Sequence, residues 1–338
     1  MRPPGVSLVF PVRDEAENLE PLYERVTASL RRAGVSYELV FVDDGSHDRS
    51  LDIIKSLRAQ DPCVRYLSLS RSFGHQAGLL AGMRSARGNA VIMMDADLQH
   101  PPELIPEMIG RWREGYEVVF TTKRDERMPW FWRWQMRAFY AMMSRLSGLP
   151  LGFGQSDFRL LDRKVVEVLC AMPEHRKFLR ALVSWAGFKQ VGLSYTMEER
   201  AQGRPKYSYR VRAQLALDGI FSFSALPLRF LLFVGLVVFA VTLPYLAWAL
   251  TLGIQRMMGR QPNLPPGWVS VVVSVLWLGS MQLVGIGLLG EYLLRVYDET
   301  KGRPAFIVRE CSDADRSTAL GPEVPIERAR EVSHDARG

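Results

Sequence analysis

Two long stretches without a charged residue restrict the fold of this chain more than any other feature of its sequence. Residues 230–255 and 261–290 contain no Asp, Glu, Lys or Arg. Both exceed the roughly 20 apolar residues that a helix needs to cross a bilayer. We therefore predict an integral membrane protein with two transmembrane helices, at residues 230–254 and 268–294.

Basic residues around these stretches predict their orientation. The loop between the spans has only Arg256 and Arg260, whereas the outer flanks carry Lys206, Arg210, Arg212, Arg229, Arg295, Lys301, Arg303 and Arg309. Because cytoplasmic flanks carry the excess of Lys and Arg, both ends of the chain are expected in the cytoplasm. The start of the chain also lacks an apolar segment long enough for a signal peptide.

The segments beside the spans have their own patterns. Residues 207–229 mix apolar and basic side chains, which predicts an amphipathic helix in the cytoplasmic interface. Residues 310–338 are polar, mixed in charge and weakly patterned, which predicts a disordered tail. Glycines at 285, 287 and 290 would allow helices to pack closely, which favours a homo-oligomer.

The first 206 residues alternate short apolar runs with helix-forming segments. The runs predict strands at residues 6–10, 38–42, 65–69, 90–94 and 117–121. Strands that alternate with helices predict a mostly parallel sheet with helices on its faces. No GxGxxG follows the first strand and no GxxxxGK[ST] occurs, which argues against dinucleotide-binding and P-loop proteins. Residues 1–206 are therefore predicted to form one α/β domain.

Two of these strands end in pairs of acidic residues. Asp43 and Asp44 follow the second strand, and Asp95 and Asp97 follow the fourth, with Gln99 just beyond. Ligands of open α/β sheets bind beyond the carboxyl ends of strands, so both pairs are expected to open into one crevice. Oxygen ligands of this kind suit Mg²⁺ or Mn²⁺ holding a diphosphate. Taken alone, each pair also fits a polar turn with acids that cap a helix.

The formal net charge of +7 indicates an anionic partner. Nucleic acid, a membrane surface and a phosphorylated substrate would all satisfy it. The two uncharged stretches favour the membrane, and nucleic acid is not expected.

Five ordered motifs resemble family 2 glycosyltransferases of the GT-A fold. The matching segments are Val9–Asn18, Val42–Ser46, Arg71–Gly78, Asp95–Pro102 and Ser156–Asp162. Within that family the chain resembles the polyisoprenyl-phosphate glycosyltransferases, which include bactoprenol glucosyltransferases and dolichol-phosphate mannose synthases. The likeness covers nearly everything from Val6 to about Val308. It implies a Rossmann-like GT-A domain with a mostly parallel sheet and a C-terminal two-helix transmembrane region, in a bacterial inner or plasma membrane.

The resemblance implies roles for the acidic residues. The nucleotide-binding residues would be Pro11, Glu15, Asp43, Asp44 and Asp95. The metal ligands would be Asp95, Asp97 and Gln99, so that Asp97 also counts as catalytic. His100 adjoins them but is expected to cap or pack, because a hard ion prefers oxygen.

Asp157 stands where the family's catalytic base is commonly assigned. A lipid phosphate has a second pKa of about 6 and is largely dianionic at neutral pH, so it needs no proton removed before it attacks. Asp157 is therefore either a base or a residue that orients a cation such as Arg159 or shapes the sugar site.

A dianionic nucleophile that approaches an anionic donor needs positive charge around it. The resemblance implies that Arg124 and Arg137 hold the acceptor phosphate, with Arg124 counted as catalytic, and that Arg200 and Lys206 hold donor or acceptor phosphates. Arginine suits this role because it makes bidentate contacts to phosphate. The alternative is that these side chains bind anionic lipid headgroups.

The resemblance predicts a membrane-bound, inverting hexosyltransferase. UDP-glucose and undecaprenyl phosphate are the first choice of substrates, by family prevalence. GDP-mannose with dolichyl phosphate, or an amino sugar of the aminoarabinose type, are the alternatives. A processive polysaccharide synthase is disfavoured, because no Gln-x-x-Arg-Trp segment occurs. The alternative from another class is a non-catalytic sugar-nucleotide-binding partner of a lipid-sugar flippase.

Overall fold

The computed structural model describes residues 5–124, 155–174, 179–196 and 268–312, with scattered positions between 233 and 259. The chain forms two compact units. One consists of Met1–Arg204 together with Arg303–Gly338, and the other consists of Pro205–Gly302. The break at 204/205 lies close to the predicted end of the α/β domain at residue 206.

The described part of the first unit contains one sheet of eight strands, in the order β7-β5-β6-β4-β1-β2-β3-β8. The strands are β1 Val6–Val12, β2 Tyr37–Asp43, β3 Val64–Leu69, β4 Ala90–Met93, β5 Val118–Arg124, β6 Gln155–Asp162, β7 Gln190–Thr196 and β8 Val308–Cys311. The pairs β1–β2, β1–β4, β2–β3 and β5–β7 are parallel. β6 runs antiparallel to both β4 and β5, and β8 runs antiparallel to β3. The prediction of a mostly parallel sheet is therefore confirmed.

Seven helices have defined bounds within the described ranges. They are α1 Ala16–Ala33, α2 Ser50–Gln60, α3 His75–Ser85, α4 Ile105–Arg113, α5 Arg163–Ala171, α6 Leu179–Trp185 and α7 Trp268–Thr300, and a 3₁₀ turn at Pro102–Leu104 leads into α4. The first helix ends before Gly34, whose φ of 62° is the left-handed conformation that glycine adopts without strain.

Alternating strand residues build a core on each face of the sheet. On one face, Phe10, Phe41 and Ile92 pack with apolar residues of α1, α2 and α4. On the other face, Val9, Val42 and others pack with α3, α5 and α6. This two-sided burial explains why the strands are apolar runs and do not alternate with polar residues.

The segment after α7 returns to the first unit. Phe306 is buried there, and β8 pairs with β3 at the edge of the sheet. Glu310 accepts hydrogen bonds from Lys55 and from the Tyr66 hydroxyl. The prediction that the disordered tail begins at residue 310 is therefore wrong for residues 310–312, because sheet pairing and these polar contacts order them. Residues 313–338 lie outside the described residues.

Helix α7 covers the predicted second span. Its 33 residues would extend about 50 Å at 1.5 Å per residue. It includes the apolar stretch Trp277–Leu294, in which none of the described side chains is buried. By length and composition alone, this helix is able to cross a membrane. The predicted interfacial helix, residues 207–229, lies outside the described residues, and so does most of the predicted first span, residues 230–254.

Candidate active site

The carboxyl ends of the parallel strands β1 to β4 meet at one edge of the sheet, and the predicted acidic residues lie there. The chain leaves β4 at Met93, and Asp95 begins the turn that follows. The backbone nitrogen of Asp95 donates to Nδ1 of His100 at 3.2 Å. This contact holds the start of the turn against the core.

The carboxylate of Asp95 has one buried oxygen without a hydrogen-bond partner. That atom is Oδ1, although the side chain as a whole is 33% exposed. Nε2 of His75 approaches Oδ1 to 3.5 Å. Burial raises the pKa of Asp95; His100 and His75 oppose this effect, and the charges of Asp157 and Asp97 add to it. The site therefore holds negative charge that the protein compensates only in part.

The turn through Asp97 is held in an unusual backbone conformation. Oδ1 of Asp97 accepts the backbone N–H of Gln99 at 3.2 Å. Between them, Leu98 has a φ of 60°, which a leucine rarely adopts. Leu98 is 9% exposed and packs into the core beside α4. Burial of this side chain keeps the strained turn in place and fixes the spacing of Asp95, Asp97 and Gln99.

His100 packs below the turn, as predicted, and both of its ring nitrogens have partners. Nδ1 accepts from Asp95, and Nε2 lies 2.8 Å from the Ser156 hydroxyl. The ring stacks on Phe158 with centroids 5.2 Å apart. Because Nδ1 accepts a backbone N–H, the neutral ring carries its proton on Nε2 and donates it to Ser156.

Asp157 lies on β6, next to this cluster. Arg180 of α6 donates to both of its oxygens, from Nε and Nη2, each at 2.7 Å. Nε2 of His75 lies 3.6 Å from Asp157 Oδ2. Burial alone would raise the pKa of Asp157, but Arg180 and the contact with His75 outweigh it and hold the pKa well below its ordinary value. The contacts of Arg180, Asp157, His75 and Asp95 form a continuous chain from α6 to the end of β4.

Arg159, two residues along β6, is almost completely buried. Its Nη2 donates to the backbone oxygen of Ser156 at 2.8 Å, and its Nε has no hydrogen-bond partner. Burial lowers its pKa to about 10, and the charge of Asp157 opposes that change. Asp157 thus offsets the charges of two arginines.

The other acid pair is held by hydrogen-bond donors of the protein. Asp43 accepts from the Ser46 backbone and the Ser68 hydroxyl. Asp44 accepts from the Ser72 hydroxyl and from the backbones of residues 73 and 74. These donors stabilise both carboxylates within the protein itself, which agrees with the alternative of a polar turn for this pair.

Pro11 and Glu15 lie at the same edge of the sheet. Pro11 packs against Gly78, where an added Cβ would come within 3.3 Å of Pro11 Cβ. Glu15 precedes α1, and its Oε2 accepts from the Asn18 side chain at 2.6 Å. Their proposed contact with a nucleotide stays a prediction.

The side chains of the predicted phosphate-binding residues lie outside the described part of the chain. Arg124 is the last residue of β5, but its side chain lies outside the described residues. Arg137, Arg200 and Lys206 lie outside them entirely.

The residues present fit a divalent cation that takes part of its coordination from a substrate. Within the described ranges, no three His, Cys, Asp or Glu side chains converge to form a metal site by themselves. The buried Oδ1 of Asp95, which has no hydrogen-bond partner, is the atom that a cation would stabilise, and Asp97 supplies a second carboxylate two residues away. Carboxylates with phosphate oxygens are an ordinary ligand set for Mg²⁺.

Sequence reasoning gave no role to His75 or Arg180. The rule that found the acid pairs applies to His75 as well, because it follows β3 at the same edge of the sheet. Arg180 has no comparable signal, since α6 contacts Asp157 only in the folded chain.

Comparison with known proteins places these features in a family. The model of glycosyl transferase family 2 matches residues 7–170. An uncharacterized glycosyltransferase of Synechocystis sp. is 38% identical over 310 residues, 90% of this chain and 95% of that protein. The prophage bactoprenol glucosyl transferase homolog of Escherichia coli is 38% identical over 90% of this chain and 98% of that protein. The bactoprenol glucosyl transferase of Shigella phage SfII is 37% identical over 90% and 97%.

Among solved structures, glucosyl-3-phosphoglycerate synthase from Mycobacterium tuberculosis, in complex with Mn²⁺ and UDP, is 18% identical with a TM-score of 0.43. The match covers 65% of this chain and 79% of that one. A likeness this distant supports no inference about this chain, whereas the sequence identities above do. The chain therefore belongs to glycosyl transferase family 2, and it is similar over nearly its whole length to the bactoprenol glucosyl transferases.

Proposed function

We propose that this protein transfers a hexose from a nucleotide sugar to polyprenyl phosphate at the cytoplasmic face of a bacterial plasma membrane. UDP-glucose and undecaprenyl phosphate are the proposed pair. The observation that carries the proposal is the identity of 37% to a bactoprenol glucosyl transferase across 90% of this chain. A likeness of that extent includes the C-terminal region as well as the catalytic domain.

The transfer is a single displacement. A phosphate oxygen of the lipid forms a bond to the anomeric carbon, while the bond from that carbon to the nucleoside diphosphate breaks. The electron pair leaves with the diphosphate, and the configuration at the anomeric carbon inverts.

Pro11, Glu15, Asp43, Asp44 and Asp95 would line the nucleotide site. Asp95, Asp97 and Gln99 would hold Mg²⁺ or Mn²⁺, and the strained turn at Leu98 keeps them in register. When bound, the cation would offset the negative charge of the departing diphosphate.

The acceptor phosphate would be held by Arg124 and Arg137, with Arg200 and Lys206 contributing to donor or acceptor phosphates. Guanidinium groups suit this task because each makes two parallel hydrogen bonds to a phosphate. Two transmembrane helices, α7 and a helix at 230–254, would keep the catalytic domain at the headgroup layer, with both termini in the cytoplasm. Close packing through glycines of α7 would support a homo-oligomer.

The test uses membranes that contain the full-length protein, undecaprenyl phosphate and a panel of radiolabelled nucleotide sugars, with and without EDTA. Labelled lipid from one donor, abolished by chelation and restored by Mg²⁺ or Mn²⁺, is the expected result. A label only from GDP-mannose or an aminoarabinose donor would correct the sugar.

The variant Asp97→Asn should remain folded and lose transfer. Full activity of that variant would contradict the metal assignment. Folded wild-type protein that binds a nucleotide sugar and transfers none of the panel would instead support a non-catalytic partner of a lipid-sugar flippase.

A further inference from the structure

The geometry of Asp157 bears on its role in the reaction. A general base needs a carboxylate oxygen that reaches the proton it removes. Each oxygen of Asp157 already accepts a hydrogen bond from Arg180 at 2.7 Å, in the parallel bidentate arrangement that is a strong form of this pair. The Asp157 side chain is only 9% exposed, whereas Arg180 is 34% exposed.

The second neighbour of Asp157 connects it to the candidate metal site. Nε2 of His75 lies 3.6 Å from Asp157 Oδ2 and 3.5 Å from Asp95 Oδ1, so one imidazole spans the two carboxylates. His75 is the first residue of α3 and is itself 37% exposed. Its position therefore depends on Asp157 on one side and on the helix start on the other.

Arg159 is the third neighbour of Asp157, and its burial makes a loss of activity after a large substitution at Asp157 ambiguous. Arg159 is buried on the same face of β6, and Asp157 opposes the effect of burial on its charge. Removal of one partner from a buried charged pair strongly destabilises a protein, because the other charge is left without compensation. Loss of activity in Asp157→Ala would therefore follow from disruption alone and would not identify a base.

We propose that Arg180 is a positioning residue of the transfer reaction: it holds both oxygens of Asp157, Asp157 in turn fixes His75 beside Asp95, and Asp157 acts as the anion of this assembly and not as a base. The inference rests on the proposed function for its reaction, since a dianionic lipid phosphate attacks without prior loss of a proton. It assigns a role to two side chains, His75 and Arg180, that lie beyond the predicted ligand set.

The experiment is a double-mutant cycle in the full-length protein, with kcat and KM measured for the nucleotide sugar that labels lipid in the assay above. The cycle compares wild type, Arg180→Gln, Asp157→Asn and the double variant. Arg180→Lys tests the bidentate geometry, since lysine keeps the charge and loses the fork. Arg111→Gln is the matched control, because Arg111 makes an exposed pair with Glu114 on α4, at 3.1 Å.

If Arg180 acts through Asp157, each single variant should lower kcat about 10- to 100-fold, as is typical for residues that orient metal ligands. The double variant should then be no slower than the slower single variant. Compared with Arg180→Gln, Arg180→Lys should regain thermal stability but little of kcat. A purely structural role would restore stability and kcat together. Arg111→Gln should match wild type.

A general base contributes about 10²–10⁴-fold, so a base at position 157 would make Asp157→Asn slower than Arg180→Gln by such a factor. The inference would be overturned if the two single effects on kcat multiplied in the double variant. It would also be overturned if Asp157→Asn were slower than Arg180→Gln by such a factor. If wild type transfers no sugar, the proposed function fails by itself. The thermal unfolding of the same four proteins then tests the assembly: coupled changes support it and additive changes overturn it.

Discussion

The carboxylate of Asp44 lies 3.0 Å from the backbone nitrogen of Gly74, so the end of β2 holds the start of α3. The same side chain also accepts from the Phe73 backbone at 2.6 Å and the Ser72 hydroxyl at 2.8 Å. His75 follows immediately. An acidic residue expected to contact the nucleotide thus also sets the loop that carries His75 into the site.

Asp44→Ala should therefore destabilise the protein as well as weaken nucleotide binding. A buried donor left without its acceptor costs about 1–3 kcal/mol. We expect a lower unfolding temperature in detergent without any ligand, measured beside Asp52→Ala, an exposed acid of α2. An unchanged unfolding temperature with lost nucleotide binding would show that Asp44 serves the ligand alone.

Gly82 lies where α3 meets the sheet, and it has no room for a side chain. An added Cβ would lie 2.1 Å from Val9 Cγ1 and 3.2 Å from Val42 Cγ2. Gly82→Ala should push the helix outward and cost about 1–3 kcal/mol. Since α3 begins with His75, transfer activity should fall as well.

The matched control for this change is Gly110→Ala in α4, where an added Cβ meets nothing within 4 Å. That substitution should stabilise the helix by about 0.5–1 kcal/mol. Thermal unfolding of Gly82→Ala and Gly110→Ala tests both predictions. Equal shifts of the unfolding temperature in the same direction would contradict the close approach of α3 to β1.

Glu38 and Arg65 form a buried pair at the other end of the sheet. Arg65 Nη1 lies 2.8 Å from Glu38 Oε2, with side chains 7% and 6% exposed. Glu38 also accepts from the Ser7 hydroxyl and the Arg87 backbone. Because removal of one partner leaves an uncompensated buried charge, Glu38→Ala should cost about 3–5 kcal/mol.

The comparison for this prediction is Glu114→Ala, which breaks the exposed pair with Arg111 and should change the stability very little, because solvent screens exposed ion pairs. Denaturant unfolding measures both. The folded fraction of Glu38→Ala should keep its KM for the nucleotide sugar, since the pair lies away from the carboxyl ends of the strands. Similar costs for the two substitutions would show that the Glu38 pair is hydrated and not buried.

The strands β1 to β5 could be predicted because each is a short apolar run that is covered on both faces. β6 could not, because its central residues include Asp157 and Arg159, whose burial is made favourable only by contacts from other elements. β8 was missed for a different reason. It lies far along the chain, after helix α7, and its pairing with β3 leaves no local pattern.

The residues of the candidate site divide in the same way, into those with a local sequence pattern and those without one. Asp95 and Asp97 could be predicted, because the carboxyl end of a buried strand is a local signal with a general physical cause. The contacts of His75 and Arg180 with Asp157 join α3, α6 and β6, so no spacing along the chain announces them. Most of the hydrogen bonds that stabilise Asp43 and Asp44 were hidden in the same way, since their donors come from β3 and the loop after it.

The contact between Tyr66 and Glu310 predicts how strand β8 responds to alkaline pH. The Tyr66 hydroxyl donates to Glu310 Oε1 at 2.8 Å, and burial, this hydrogen bond and the charge of Glu310 raise the pKa of Tyr66 from 10.0 to about 12. A pKa that is higher in the folded state gives stability that is complete below the unfolded value and is lost as pH rises through the folded value. Wild type should therefore lose stability between pH 10 and about 12, and Tyr66→Phe should lack this component.

Thermal unfolding across that range measures the difference, and absorbance at the tyrosinate band measures the titration. Glu310→Gln, which removes the charge, should bring the Tyr66 pKa back toward 10; the same alkaline loss in all three proteins would mean that this hydrogen bond does not couple β8 to the sheet.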